Sequence, residues 1–311
     1  MADRLTVGLV GCGRWGRHIL RDLVSLGCDV PVATKSSESR KYASEGGASM
    51  IVDGHEQLPE LDGVVVATPT DTHASVIEAV LERGVPVYSE KPLTCDAASA
   101  ARLASAAPER LFVMDKWRYH PGVEMLARIA RGEELGPVLG LRTTRVQWGN
   151  PHPDVDTSWI FAPHDLSIAL EVLGDVPLAR SAVAEVLDGR VTGLVGLLGE
   201  DPWLAIEVSS RFTEYRREIR LHCRDGVAIL NDGYSEHLSV LRDEGGRSLK
   251  ASEPELRPIE GELPLLRELR AFVEHLKGGP PPRSSAAEGA LIVRRIAELR
   301  TLAGLDEGGL T

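Results

Sequence analysis

The sequence predicts an α/β protein in two parts. A doubly wound parallel sheet occupies the N-terminal part, and an α+β part with a large, mostly antiparallel sheet follows. Three observations predict this. Short apolar runs alternate with helix-period segments as far as Met114, the pattern of parallel strands joined by crossover helices. A glycine motif stands at the first strand-to-helix junction. Beyond Val138, strand-like runs are joined by Asp188-Gly189 and Asp225-Gly226, which punctuate hairpins. A chain of 311 residues is long enough for two cores, and the division is expected at 1–117 and 118–311.

In order, Leu5–Val10 is a branched apolar run suited to a buried strand. Gly11, Gly13 and Gly16 follow as G-x-G-x-x-G, and Ile19, Leu20, Leu23 and Leu26 then mark one helical face that Gly27 ends. Strand, glycines and helix together form a dinucleotide fingerprint: Gly11 allows the tight turn, Gly13 admits a pyrophosphate to the backbone, and Gly16 lets helix and strand pack. Val30–Thr34 is the second strand. An acid about 20 residues past the glycines marks NAD selectivity. Here Thr34, Lys35 and Ser36 stand in that place, with Arg40 just beyond, and hydroxyls with cations suit the 2′-phosphate of NADP(H); NAD(H) stays open as a second cofactor. Ala48–Val52, Gly63–Thr68, Val85–Ser89 and Leu111–Met114 complete the sheet. A helix with Val76, Ile77, Val80 and Leu81 inward follows the fourth strand, and Thr94 or Asp96 caps an Ala-rich helix after the fifth.

In the second part the expected strands are Val138–Trp148, Arg180–Leu187, Val191–Leu197, Leu204–Phe212, Glu218–Cys223, Val227–Leu230 and Leu238–Arg242. Helices are expected at Glu124–Ile129 and His164–Leu173, a loop over Gly245–Pro258, and closing helices at Leu265–Leu276 and Ala286–Ala303 that pack on the second sheet. Pro163 places His164 in a helical first turn, where the dipole disfavours imidazolium. Asp165 suits the same dipole.

Net charge is −11, which argues against nucleic-acid or anionic-membrane partners. Cys12, Cys28, Cys95 and Cys223 have neither metal-ligand nor disulfide spacing, no metal is expected, and the early first strand leaves a cytoplasmic protein as the expectation.

The chain resembles the Gfo/Idh/MocA oxidoreductases. The resemblance is carried by Gly11-Cys12-Gly13-Arg14-Trp15-Gly16, Ala67-Thr68-Pro69 with His73, Glu90-Lys91-Pro92, Trp117-Arg118-Tyr119-His120-Pro121, Leu135-Gly136-Pro137-Val138, Ala162-Pro163-His164-Asp165-Leu166-Ser167, and Pro264–Leu269 with Phe272. Its closest likeness is to members acting on nucleotide-linked sugars. The resemblance implies an N-terminal Rossmann domain, a C-terminal domain whose open sheet forms a homodimer or homotetramer, and hydride transfer at a sugar or polyol carbon. It implies Lys91 and His164 as the catalytic pair. It further implies cofactor contacts from Cys12, Arg14, Trp15, Thr68, Pro69, His73, Glu90 and Lys91. Arg118, Tyr119 and Trp159 are candidate substrate-wall residues beside Lys91 and His164, because aromatics and a forked cation suit a sugar or phosphate. His73 and His120 fit structural or cofactor-lining roles. The family often has Asp four residues before the histidine, and here Ile160 stands there. Two other activities fit the same architecture: reduction of an imine or other double bond, and cofactor sensing without turnover.

Overall fold

The computed structural model describes residues 4–150, 154–243 and 253–306. β1 (Val7–Val10) is buried along its length, as an unbroken apolar run requires of a strand covered on both faces. It enters α1 (Gly16–Ser25) through the glycine loop. The helix stops where its sequence predicts. Gly27 takes φ +86°, its N–H donates to Val24 O at 3.0 Å, and the N–H of Cys28 donates to Leu23 O at 3.1 Å. β2 (Pro31–Ala33), α2 (Ser37–Glu45), β3 (Met50–Val52), β4 (Gly63–Val66), α3 (His73–Leu81), β5 (Val87–Glu90), α4 (Ala97–Ala106) and β6 (Leu111–Met114) follow. Asp96 caps α4, accepting from Ser99 N at 2.6 Å. The six strands are parallel, in the order β3-β2-β1-β4-β5-β6. Strand order reverses between β1 and β4, and ligands of such sheets seat outside the carboxyl ends at that reversal.

The chain divides into two compact units, Met1–Lys116 with Leu263–Val293, and Trp117–Glu262 with Arg294–Thr311. The second contains α5 (Pro121–Arg131), β7 (Val138–Trp148), α6 (Thr157–Leu173), β8 (Ala179–Leu187), β9 (Arg190–Leu198), β10 (Trp203–Ser209), β11 (Arg211–Cys223), β12 (Gly226–Leu230), β13 (His237–Arg242) and β14 (Glu255–Pro258). Its sheet runs β14-β13-β12-β11-β7-β10-β9-β8 and is antiparallel except where β10 lies parallel to β7. The expected strand Leu204–Phe212 is therefore two strands. β10 and β11 flank β7 on opposite sides and in opposite directions, so the chain breaks at Ser210, whose N–H donates to Thr192 O at 2.8 Å. Of the expected loop Gly245–Pro258, residues through 252 lie outside the described residues, and Glu255–Pro258 pairs with β13. Leu141, Leu194, Ile206 and Ile219 are buried on one face, while Val183, Val195 and Leu197 stand exposed on the other.

Two further expectations are corrected. α6 starts seven residues before His164, with Asp156 as the cap accepting from Ser158 N at 2.9 Å, so Pro163 and His164 lie in mid-helix. The all-apolar run Trp159–Ala162 hid this start from a periodicity reading. α7 (Pro264–Leu276) belongs to the first unit: Leu265, Leu269, Phe272 and Val273 share its core with Val7, Leu9 and Tyr88. Gly63 makes the room, since a Cβ there would meet Leu276 at 2.9 Å and Phe272 at 3.1 Å. α8 (Ala286–Leu302) counts with the first unit through Val293 and with the second from Arg294. Among the described residues no helix is long and apolar enough to cross a membrane.

Candidate active site

In the first unit the glycine loop has the geometry of its motif. Gly11 sits at φ +95°, and a Cβ there would press on the Ala67–Thr68 backbone, 2.7 Å from Ala67 C and 2.9 Å from Thr68 N. A Cβ on Gly16 would strike the Gly11 carbonyl. A Cβ on Gly13 would meet no protein atom within 4 Å. Gly11 and Gly16 are thus constrained by the fold, and Gly13 by nothing that the chain itself supplies. The N-terminus of α1 has no side-chain cap and no acid in its first turn, so its N–H groups and positive end suit an anion. Arg14 is exposed beside them and Trp15 is half-buried. These residues fit a dinucleotide. Cys12 is buried beneath the loop, and burial pushes its thiol up to about 11.

At the end of β2, Thr34 is buried and Lys35 exposed, and Ser36 caps α2 by accepting from Ser39 N at 3.1 Å. Arg40 donates to Thr34 O at 3.1 Å and to Asp53 Oδ1 at 2.7 Å. Asp53, just past β3, is an acid the spacing argument misses, because the pair joins α2 to the end of β3 instead of neighbours in the chain.

His73 is 1% exposed. Its Nδ1 lies 2.8 Å from Pro92 O and its Nε2 3.1 Å from Thr68 O. It ties the loop after β4 to the corner after β5. Pro69 is exposed, and the Thr72 hydroxyl donates to Pro69 O at 2.7 Å.

Lys91 is half-buried at the carboxyl end of β5. Glu90 anchors that corner: one carboxylate oxygen accepts from Trp15 Nε1 and the other from the backbone N–H of Lys91 at 3.1 Å. Burial pushes the Glu90 carboxyl up, against the pull of Lys91, the Trp15 N–H and Lys116. Lys116, which the sequence does not single out, lies with Nζ 4.3 Å from the Trp15 ring centroid. Its signal was its place just past β6, at the same end of the sheet.

In the second unit His164 is half-buried in mid-helix, so the dipole argument for its neutral form falls away. Asp165 is not a dipole partner either. It is 1% exposed and accepts from Arg145 Nε at 2.8 Å, and Arg145 stacks 4.6 Å over Trp117. Arg118 is 8% exposed and donates to Glu171 at 3.3 Å, and Tyr119 is 4% exposed. Trp159 is fully buried, with the Arg300 guanidinium 5.7 Å from its ring centroid. These three expected wall residues are therefore interior groups, and Trp159 is removed as a substrate contact because no face of it reaches solvent. His120 caps α5 through Gly122 N at 3.1 Å and lies 2.9 Å from Gly233 O, a structural role. Ile160 is buried.

Residues 5–114 match the family model described as an oxidoreductase family with an NAD-binding Rossmann fold. Inositol 2-dehydrogenase of Rhizobium meliloti is 28% identical over 202 residues, which span 61% of this chain and 61% of that protein. UDP-N-acetylglucosamine 3-dehydrogenase of Acidithiobacillus ferrooxidans is 28% identical over 235 residues, 73% of this chain and 74% of the relative. Its solved structure superposes with a TM-score of 0.82 at 20% identity over 98% of both chains. A 3-ketoreductase of Actinomadura kijaniata, solved with TDP-benzene and NADP, gives a TM-score of 0.82 at 20% identity, covering 96% of this chain and 98% of the other. The fingerprint loop with its open Gly13, the six-stranded order and these matches agree: residues 5–114 have the NAD-binding Rossmann fold of the Gfo/Idh/MocA oxidoreductase model, and the chain is similar to dehydrogenases and a ketoreductase over most of its length.

Proposed function

We infer that the chain is an NADP(H)-dependent cytoplasmic oxidoreductase that moves hydride to or from a carbon of a sugar or nucleotide-linked sugar. The observation that carries this is the juxtaposition, within one unit, of the open Gly13 loop and the Glu90-held Lys91 at the carboxyl edge of the same sheet. The two curated relatives are named for polyol and nucleotide-sugar dehydrogenation, which supports the substrate class.

The first unit binds the dinucleotide through Gly11–Gly16, and the bound nicotinamide supplies or accepts the hydride. Lys91 hydrogen-bonds the reacting oxygen, stabilises the charge that grows on it, and carries its proton. The second unit binds substrate, and its His164 is the alternative carrier of that single proton. Lys35, Ser36 and Arg40 favour NADP(H). Asp53 neutralises part of Arg40, so Lys35 carries the larger share of that preference. The exposed row of Val183, Val195 and Leu197 supports a homodimer or homotetramer through the open sheet face.

The test is turnover of inositols and nucleotide sugars followed at the absorbance of the reduced nicotinamide. Lys91→Met should retain the fold and bind NADPH yet lose about 10²–10⁴-fold in kcat, the range of acid–base help. Turnover of Lys91→Met at the wild-type rate would favour the imine-reductase alternative, and dinucleotide binding without turnover of any substrate would favour the sensor.

A further inference from the structure

We propose that the second unit holds an anion subsite for its substrate at Arg217, with the Tyr215 ring beside it, so that the substrate carries a phosphate or carboxylate group. β7 and β11 pair antiparallel, and Arg145 and Arg217 stand directly opposite each other in that register. Opposed residues share a face of the sheet, so two guanidinium groups meet there. Both residues are buried, at 3% and 6% exposure. Like charges directly opposite are destabilising, and more so away from water, unless a counter-charge joins them.

α6 lies on that face and brings one acid. Asp165 accepts from Arg145 Nε at 2.8 Å and from its Nη2 at 3.5 Å. Phe161, one turn earlier, has its ring centroid 5.4 Å from the Arg217 guanidinium carbon. His164 falls between Phe161 and Asp165 in the chain, which sets the cluster beside the proposed proton carrier. Asp165 thus serves Arg145, and Arg217 bonds only neutral oxygens among the described residues. Its Nη1 donates to Val146 O at 2.8 Å and to Arg216 O at 2.9 Å, and its Nη2 to the side-chain oxygen of Gln147. Nε is left for a further acceptor. Burial and Arg145 push the Arg217 guanidinium down from its ordinary value, while Tyr215, Asp165 and Asp232 oppose. Two cations against one paired acid leave a positive charge that an anion would neutralise. The way in runs past Tyr215. The register of β11 against β7 shifts between Arg211 and Arg216, and bulges of this kind re-aim side chains. Tyr215, inside the shift, is 59% exposed, and the Arg217 guanidinium lies 4.1 Å from its ring centroid. A sugar or base can lie on the free side of that ring while the anionic group meets Arg217.

The subsite rests on the second unit as the substrate-binding part of the proposed activity. It is tested by calorimetric titration of the full chain with the dinucleotide site saturated by NADPH. UDP, glucuronate and inorganic phosphate are the anionic probes, with uridine and glucose as neutral controls. An anionic probe should bind, and its neutral control should bind at least about tenfold more weakly. Arg217→Gln should weaken the anion by about 10–100-fold, the scale of a charge-assisted hydrogen bond, with NADPH affinity unchanged. Arg217→Lys, which keeps the charge without the fork, should recover part of the loss. Binding of UDP or phosphate assigns a phosphate group, and binding of glucuronate alone a carboxylate. Tyr215→Ala, at an exposed position, should weaken UDP or glucuronate by about fivefold or more, and it carries the test if Arg217→Gln does not fold. Equal anion affinity in wild type and the folded variants, or no anionic probe bound at millimolar concentration, overturns the proposal. Failure to bind NADPH would instead overturn the assigned activity, and the probe titrations are then read without it.

Discussion

Replacing Gly13 by alanine separates a binding site from a structural turn. The added methyl meets no protein atom within 4 Å, and Gly13 does not adopt a positive φ that would strain an alanine. Stability should hold within about 1 kcal/mol, biased upward because alanine narrows the unfolded ensemble. The same methyl points into the space over the loop that a pyrophosphate would fill against the N-terminus of α1. Displacing the ligand by a methyl's width costs about 1.4–2.8 kcal/mol, the scale of overpacking, and raises Kd by about 10–100-fold. Gly16→Ala is the control. Its methyl lies 3.1 Å from the carbonyl carbon of Gly11 and nearer still to the oxygen, a backbone obstacle that cannot rotate away, so stability and binding should fall together. Isothermal titration with NADPH, paired with urea unfolding, reads both quantities. Gly13→Ala that binds NADPH like wild type, or whose loss of binding is matched by an equal loss of stability, would refute the assignment of this loop to a dinucleotide.

Phe272→Ala should destabilise the first unit by about 3–5 kcal/mol, as for other buried aromatics, with loss of dinucleotide binding in the same titration. Lys35→Ala should lower, and Asp53→Ala should raise, the preference for NADPH over NADH, each by about fivefold or less because both side chains are exposed; equal Kd ratios in all three proteins would count against NADP selectivity. Cys12 and Cys223 have thiols pushed up to about 11 by burial, against 9.0 for the free group. Between those values the native state holds protons that the unfolded chain has lost, so the urea midpoint should fall as pH rises from 9 to 11 while staying insensitive to these groups below 9.

The parallel sheet was legible because burial on both faces writes strands as apolar runs, as in Val64–Val66 and Leu111–Met114. The fingerprint was legible because the glycine requirement is local. What escaped the sequence is non-local. Nothing near Arg40 announces Asp53 at the end of β3, and nothing near Leu265–Phe272 says which of two cores will take that stripe. Trp159 looked like a wall residue because an aromatic next to a site is chemically apt, but composition cannot say which side of a helix faces solvent. The start of α6 was missed because Pro163 is a good first-turn residue, and tertiary packing kept it inside the helix instead.

The placement of α7 bears on how this protein is made. A ribosome releases the fingerprint strand long before α7, which helps close its hydrophobic core and emerges only after Trp117–Glu262 of the second unit. The nascent nucleotide-binding sheet therefore waits with the Tyr88 side of its core uncovered through most of synthesis, an interval in which exposed apolar surface attracts chaperones or neighbouring chains. The interposed second unit, by contrast, has all its strands in hand before α7 appears. Vectorial synthesis should accordingly let the second sheet pair its strands while the first sheet still lacks α7.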